Sequence, residues 1–290
     1  LIVTTEPDSS ERDNLYFNDP ESGVEMARLM DQDRLITKGM GGLFPERDDE
    51  LAGIKRILDI GCGPGRWAME VAFAHPDIEV VGFDVSQVMI GYANAQARVR
   101  GLKNVSFKVM DAQQPLDFPD DSFDLVNARF IAFLGPSVWP KLTQEFKRIT
   151  RAGGEIRLTE SEWTMTSSPS HEQMYGMFYR AMKQVGQSYS PDGRIYDITP
   201  MLGGFLRKLG CSTIQHKAHA IDFSIGTPDY EGFRRDWMVF AKLIQPFLIS
   251  QGMSTQEEMD RLYSQIELEM LQEDYRGIMY VLTVWGEVVK

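Results

Sequence analysis

Between residues 56 and 160, short apolar runs alternate with longer stretches in which apolar residues return every three or four positions. The runs at 56–60, 79–83, 105–110, 123–128 and 155–159 read as strands, and 67–74, 86–101 and 139–150 have the length and spacing of helices. The order βαβαβ predicts a parallel sheet with helices on both faces, and right-handed crossovers make it doubly wound and Rossmann-like. Upstream, Asp19-Pro20 offers an N-cap followed by proline at the first helical position, so a helix is expected to about Lys38, stopped by Gly39. Val24, Ala27, Met30 and Leu35 mark its apolar face. Downstream, helices are expected near 171–185 and 198–209, a strand near 212–223 and a closing strand near 278–289. About 50 mostly helical residues separate those two strands, too many for a plain connection. The expected organisation is a helical lid segment at 1–50, a ligand-binding core at 51–225, a helical insertion at 226–275 serving as substrate cap or dimer contact, and a final core strand at 276–290.

Composition narrows the function classes. The 290 residues are 43% hydrophobic, which rules out disorder throughout, and 30 Lys plus Arg stand against 42 Asp plus Glu, a net charge of −12. Residues 1–50 hold 5 basic and 13 acidic side chains, so −8 of that charge lies in one sixth of the chain. A polyanion would meet repulsion on most faces, so nucleic-acid partners are not expected. No stretch approaches the roughly 20 apolar residues a bilayer crossing needs, so no membrane partner is expected and a soluble cytoplasmic protein is. The chain starts without Met, so an upstream piece or tag is expected to be missing. Cys62 and Cys211 lie far apart, which indicates neither a disulfide scaffold nor a thiolate zinc site. Cys62 reads as a small packing residue, and without a dense Asp/His set no metal is expected.

The chemistry gathers at the ends of the first three strands. Strand one runs into Asp59-Ile60-Gly61-Cys62-Gly63-Pro64-Gly65 and then a helix, a turn whose glycines let the backbone approach a ligand and whose amides face its polar part. A dinucleotide fingerprint would need glycine where Arg66 stands. Asp59 would repel a pyrophosphate and could attract an ammonium group. Strand two ends in Asp84, about 20 residues on, where a carboxylate can accept both hydroxyls of a ribose. Strand three ends in Asp111-Ala112, where a carboxylate could accept from the exocyclic amine of a purine. Three acids lining one crevice suit an adenosine carrying a positively charged amino acid better than a phosphate-bearing nucleotide. Asp124, near the start of strand four, reads as structural.

These residues resemble the class I S-adenosylmethionine-dependent methyltransferases, particularly the small-molecule branch of the ubiquinone/menaquinone biosynthesis type. The resemblance is carried by Ile57 to Gly65, by Val81-Gly82-Phe83-Asp84-Val85-Ser86, by Asn104 to Phe107 with Asp111-Ala112, by Phe118 to Val126 and by Gly153-Gly154. It implies a mostly parallel seven-stranded sheet with an antiparallel last strand, S-adenosyl-L-methionine as cofactor and S-adenosyl-L-homocysteine as product. The Asp59–Gly65 loop, with Gly61, Cys62, Gly63 and Gly65, would hold the methionine end, Asp84 and Val85 the ribose, Asp111 and Ala112 the adenine, and Asn127 completes the expected cofactor set. The resemblance fades outside about residues 50–225, where the acceptor would be chosen.

Methyl transfer from a sulfonium is an in-line displacement that asks the protein mainly for alignment and exclusion of water. A hydroxyl or carbon-acid acceptor also needs a base. The candidates for proton handling are Arg129 after strand four, Glu160 after strand five and His171. Surface salt bridges are an equal reading for Arg129 and Glu160, and a solvated loop histidine is the plainer one for His171. Phe233, Trp237, Phe240, Ile244 and Phe247 form an aromatic-rich helical face. Its default reading is core packing or the seam of a homodimer. The functional alternative is that Trp237, with Trp163, Tyr175, Tyr179 and Tyr196, roofs an apolar acceptor pocket, while the segment from Tyr16 to Lys38 acts as a mobile lid. The leading reading is therefore a methyltransferase acting on a small apolar or aromatic metabolite. A protein or RNA acceptor, a non-catalytic cofactor-binding module and a nicotinamide-dependent oxidoreductase are the alternatives, the last opposed by Asp59 and Arg66.

Overall fold

A computed structural model describes residues 16–47 and 50–290. The acidic amino end at 1–15 and residues 48–49, both within the expected lid segment, lie outside the described residues. Helix α1 spans Gly23–Met40. The core then runs β1 (Arg56–Ile60), α2 (Arg66–Ala74), β2 (Glu79–Asp84), α3 (Gln87–Val99), β3 (Val105–Val109), β4 (Phe123–Arg129), α4 (Gly135–Ile149) and β5 (Thr150–Thr166). Helices α5 (Pro169–Gln184) and α6 (Thr199–Lys208) lead to β6 (Ser212–Asp222), and α7 (Tyr230–Leu243), α8 (Gln245–Ser250) and α9 (Gln256–Met270) precede β7 (Gly277–Glu287).

The seven strands form one sheet in the order β3-β2-β1-β4-β5-β7-β6. Neighbouring pairs are parallel from β3 through β5, and β7 lies antiparallel between β5 and β6. The chain reverses order between β3 and β4, which places a crevice at the carboxyl ends of β1 and β4. The strands flanking it are buried nearly end to end: Ile57, Leu58, Leu125 and Val126 are all fully buried, as a sheet covered on both faces requires. Among the described residues no helix is long and apolar enough to cross a membrane.

Two local expectations change. Ser22, rather than Asp19, caps α1, its hydroxyl accepting from the Glu25 amide at 3.4 Å. The helix also runs through Gly39, because a Cβ there would lie 2.6 Å from Ile221: this glycine serves close packing on β6 rather than termination. The stop is Gly41, at φ +98°, whose amide returns to the Lys38 carbonyl. The apolar face is likewise displaced. Val24 is exposed, whereas Glu25 and Arg28 are buried as an ion pair at 2.7 Å, and Arg28 reaches Asp236 of α7 at 3.1 Å.

Candidate active site

The chain leaves β1 into a loop in which Gly61, Gly63 and Gly65 take φ of +62°, +52° and +75°. A Cβ on Gly61 would lie 2.7 Å from Ile131, and one on Gly65 2.6 Å from the Phe107 ring, so conformation and space both require glycine there. Gly65 caps α2 without a side-chain hydrogen bond, leaving first-turn amides of that helix without an intrahelical partner. Over this loop opens a cavity of about 310 Å³ lined by the ends of β1 to β4 and by α1, within the range of about 300–1,000 Å³ usual for small-ligand clefts.

Most of the expected cofactor residues meet here. Asp59, Gly61, Cys62, Gly63, Asp84, Val85, Asp111 and Ala112 line the cavity, and Gly65 does not. Asp84 accepts the Gly63 amide on one carboxylate oxygen and the Ser86 amide on the other, each at 3.0 Å. That holds the carboxylate rigid and leaves a lone pair on each oxygen for a diol. Burial raises its pKa, and the backbone donors oppose the rise. Asp111 accepts the Gln113 amide at 2.9 Å, which fixes the turn after β3. The Cys62 thiol is pushed well above its ordinary range by burial and then by Asp84, in line with a packing role.

Beneath the loop lies a polar chain that the sequence did not disclose. Asn127 donates to Asp59 at 2.8 Å and accepts from Arg157 at 2.8 Å, and Arg157 is ion-paired with Glu46 at 2.7 Å. Asn127, Arg157 and Glu46 are inaccessible to solvent. Asn127 thus reaches the cavity through Asp59 rather than lining it. Burial raises the Asp59 pKa to about 7, opposed first by the Asn127 hydrogen bond. Asn127 and Arg157 stand in register across β4 and β5, but their link to Glu46 spans 111 residues, and only the fold closes it.

The roof differs from the one expected. It consists of Leu29, Gln32, Asp33 and Ile36 of α1, with Tyr16, Phe130 and Phe133. The 29/32/33/36 spacing is a helical face, but with Gln32 and Asp33 on it that face carries a weaker apolar signal than the one marked by Val24, Ala27, Met30 and Leu35. Arg129 lines the cavity between Trp67 and Phe130, its guanidinium 5.7 and 5.6 Å from their ring centres. It pairs with Asp33 at 3.2 Å. Burial lowers the Arg129 pKa while Asp33 opposes the change. Phe130 takes φ +56°, a left-handed conformation that costs a non-glycine residue about 1–3 kcal/mol. The hydroxyl of Tyr16 is hydrogen-bonded to Glu25, which ties this segment to the buried Arg28–Asp236 pair.

The other proton-handling and acceptor candidates lie elsewhere. Glu160 is buried behind the cavity wall, accepts the Ile131 amide at 2.8 Å and has its pKa raised by burial. It anchors the loop after β4 rather than facing the cleft. His171 is buried in α5, stacked on Tyr175 with centroids 5.0 Å apart and edge-on to Trp237 at 4.7 Å. Neither ring nitrogen has a hydrogen-bond partner, and burial lowers its pKa to about 3. It is not a solvated loop histidine, because α5 turns it into the packing between α5 and α7. Tyr179 stacks on Tyr175, and Tyr196 on Phe178, all buried. Trp237 packs against Tyr175 and Phe240. Tyr16, from the expected lid segment, lines the cavity; of the expected aromatic roof, Tyr175, Tyr179, Tyr196 and Trp237 do not. Trp163 lies in β5.

Comparisons with known proteins bear on this cleft. Residues 57–154 match the family model described as a methyltransferase domain. The chain is 32% identical over 176 residues to the demethylmenaquinone methyltransferase of Thermus thermophilus, covering 60% of this chain and 70% of that protein. It is 36% identical over 130 residues to the demethylmenaquinone methyltransferase of Geobacillus kaustophilus, covering 43% and 53%. The 27-O-demethylrifamycin SV methyltransferase of Amycolatopsis mediterranei is 33% identical over 156 residues, with 53% and 52% covered. The chain thus spans about half the length of the latter two relatives. Among solved structures, a phosphoethanolamine N-methyltransferase of Haemonchus contortus in complex with S-adenosyl-L-methionine superposes with a TM-score of 0.55 at 18% identity, over 93% of this chain and 57% of that one. That likeness is one of fold.

Proposed function

Because the chain belongs to the S-adenosylmethionine-dependent methyltransferases, we propose that it binds S-adenosyl-L-methionine in the cleft over the glycine loop and methylates a small apolar or aromatic acceptor there. The observation that carries this reading is the convergence of Asp59, Asp84, Asp111 and the left-handed glycines on one cavity. The residues present suit that cofactor. Gly61 and Gly63 would bring the backbone to its amino-acid arm, Asp84 would accept from the ribose hydroxyls, and Asp111 would accept from the adenine amine. Asp59 disfavours a pyrophosphate at the same place.

When bound, S-adenosylmethionine supplies a methyl group on a sulfonium, ready for in-line displacement by an acceptor atom. The chain's own part is alignment and exclusion of water. Leu29, Ile36 and Phe133 from the roof, with Ile131 and Leu134 from the wall, give the cleft an apolar side suited to an apolar acceptor. We assign residues 51–225 and 276–290 to the cofactor-binding core and the α1 segment to the acceptor side. The acidic balance favours a small molecule over a nucleic acid. Three relatives are named for methylating demethylmenaquinone, 27-O-demethylrifamycin SV and aklanonic acid.

Thermal unfolding with S-adenosylhomocysteine, and with NAD in parallel, tests the cofactor. At about 100 times its Kd a ligand adds roughly 2.7 kcal/mol to native stability, which for a domain of this size shifts Tm by roughly 5–10 °C. A shift with the homocysteine nucleoside and none with NAD is expected. A shift with NAD alone would replace this reading with the oxidoreductase.

A further inference from the structure

Asp33 projects from α1 into the cleft and bridges two guanidiniums, with Arg129 at 3.2 Å from one carboxylate oxygen and Arg66 at 3.7 Å from the other. Arg129 comes from the end of β4 and Arg66 from the first turn of α2, directly after the glycine loop. The Trp67 indole N–H, in the same wall, is buried with no hydrogen-bond partner. Two cations therefore hold one carboxylate, in a cavity whose wall also carries an unused donor and the start of α2. Asp59 lies close enough for both Arg129 and Asp33 to act on it electrostatically, so a carboxylate seat and an ammonium seat stand side by side. That is the charge pattern of an α-amino acid.

We propose that Arg66 and Arg129 form the seat for the α-carboxylate of the cofactor's amino-acid arm, and that Asp33 occupies this seat as an internal stand-in, so that α1 and the cofactor compete for the same two guanidiniums. The inference rests on the cofactor reading above and adds to it an assignment of the amino-acid end and a competition between α1 and the ligand for that seat. A carboxylate for a carboxylate is an even exchange in kind. The guanidiniums are never left without a counter-ion, and α1 is released from this contact when the ligand's carboxylate arrives.

The test is calorimetric binding of S-adenosylhomocysteine and of its decarboxylated analogue, S-adenosyl-3-thiopropylamine, which keeps the nucleoside and the amine but lacks the carboxylate. The readout is the ratio of their affinities. Arg66→Gln, at a partly exposed position that the core does not need, is expected to weaken the homocysteine compound about 10-fold or more, with the amine changed less than 2-fold. Asp33→Asn is expected to tighten the homocysteine compound several-fold and to raise the ratio. Arg129→Gln repeats the first result if it folds, and Arg66→Gln carries the test if it does not. Equal losses for both ligands in Arg66→Gln, or weaker or unchanged homocysteine binding in Asp33→Asn, would overturn the exchange. If the unaltered protein bound neither ligand, the cofactor assignment itself would fall, an outcome distinct from these.

Discussion

The cleft and the packing between α5 and α7 are both rich in aromatic and ionisable side chains, yet they use them in opposite ways. In the cleft, Asp59, Asp84 and Asp111 sit at strand ends where the backbone turns away, so their carboxylates border open space. Between the helices, His171, Tyr175, Tyr179 and Trp237 come from the interiors of α5 and α7, which face each other, and the rings fill one another's space. Residue type alone does not separate the two. What separates them is whether the element ends at the residue or continues past it: a strand end leaves a crevice and a packed helix face closes one.

The largest expected effect blurs this contrast. Glu46→Ala would leave Arg157 as an uncompensated buried charge and should cost about 3–5 kcal/mol in chemical denaturation. It should also weaken S-adenosylhomocysteine binding, because Arg157 orients Asn127, which holds Asp59. Loss of stability with binding intact would show that the floor network acts on the fold alone. Trp237→Ala comes next. It removes a partly buried ring that packs on three aromatic neighbours and should cost about 3 kcal/mol while leaving the acceptor's KM unchanged. A raised KM with unaltered stability would restore the aromatic roof expected from the sequence. Asp84→Asn should weaken S-adenosylhomocysteine about 10- to 100-fold, or about 1.4–2.8 kcal/mol, with a smaller effect on stability.

The smallest effect sharpens the contrast through pH. Burial holds the His171 pKa near 3, below about 6.5 in the unfolded chain. The unfolded state therefore binds the proton first as pH falls. Stability from this group is present above about pH 6.5 and is lost toward pH 3, at up to about 1.4 kcal/mol per pH unit. Asp59 has the opposite sign: its folded pKa, near 7, exceeds the unfolded 3.8, so its contribution is full below about pH 4 and is lost as pH rises through 7. The two slopes oppose each other between about pH 4 and 6.5. His171→Phe removes two unpartnered nitrogens and should add about 1 kcal/mol at neutral pH and more in acid. Urea midpoints at pH 5 and 7.5 check this, and an unchanged acid limb would mean that another group sets it.

The sheet and the strand-end side of the cleft were legible from the chain because their signals are local. A strand of five or six residues, a glycine-rich turn and an acid at the next strand end lie within short windows, and the period of the apolar positions carries the layer order. Gly39 shows where that locality fails. Its sequence reads as a helix stop, but the missing Cβ serves the approach of Ile221 from β6, 182 residues away. His171 was open to two readings, and a third proved true, because its burial depends on α7, far along the chain. The pairing of Asp33 with Arg66 and Arg129 likewise has no sequence signature, since the partners come from three elements. By itself the sequence determined the order of elements, the glycine turn that floors the cleft and the acids at the strand ends, since backbone conformation and alternating burial are written residue by residue. Only the tertiary structure decided which charges face each other across the cleft and which aromatics pack away from it, because electrostatic and packing energies depend on distance in space.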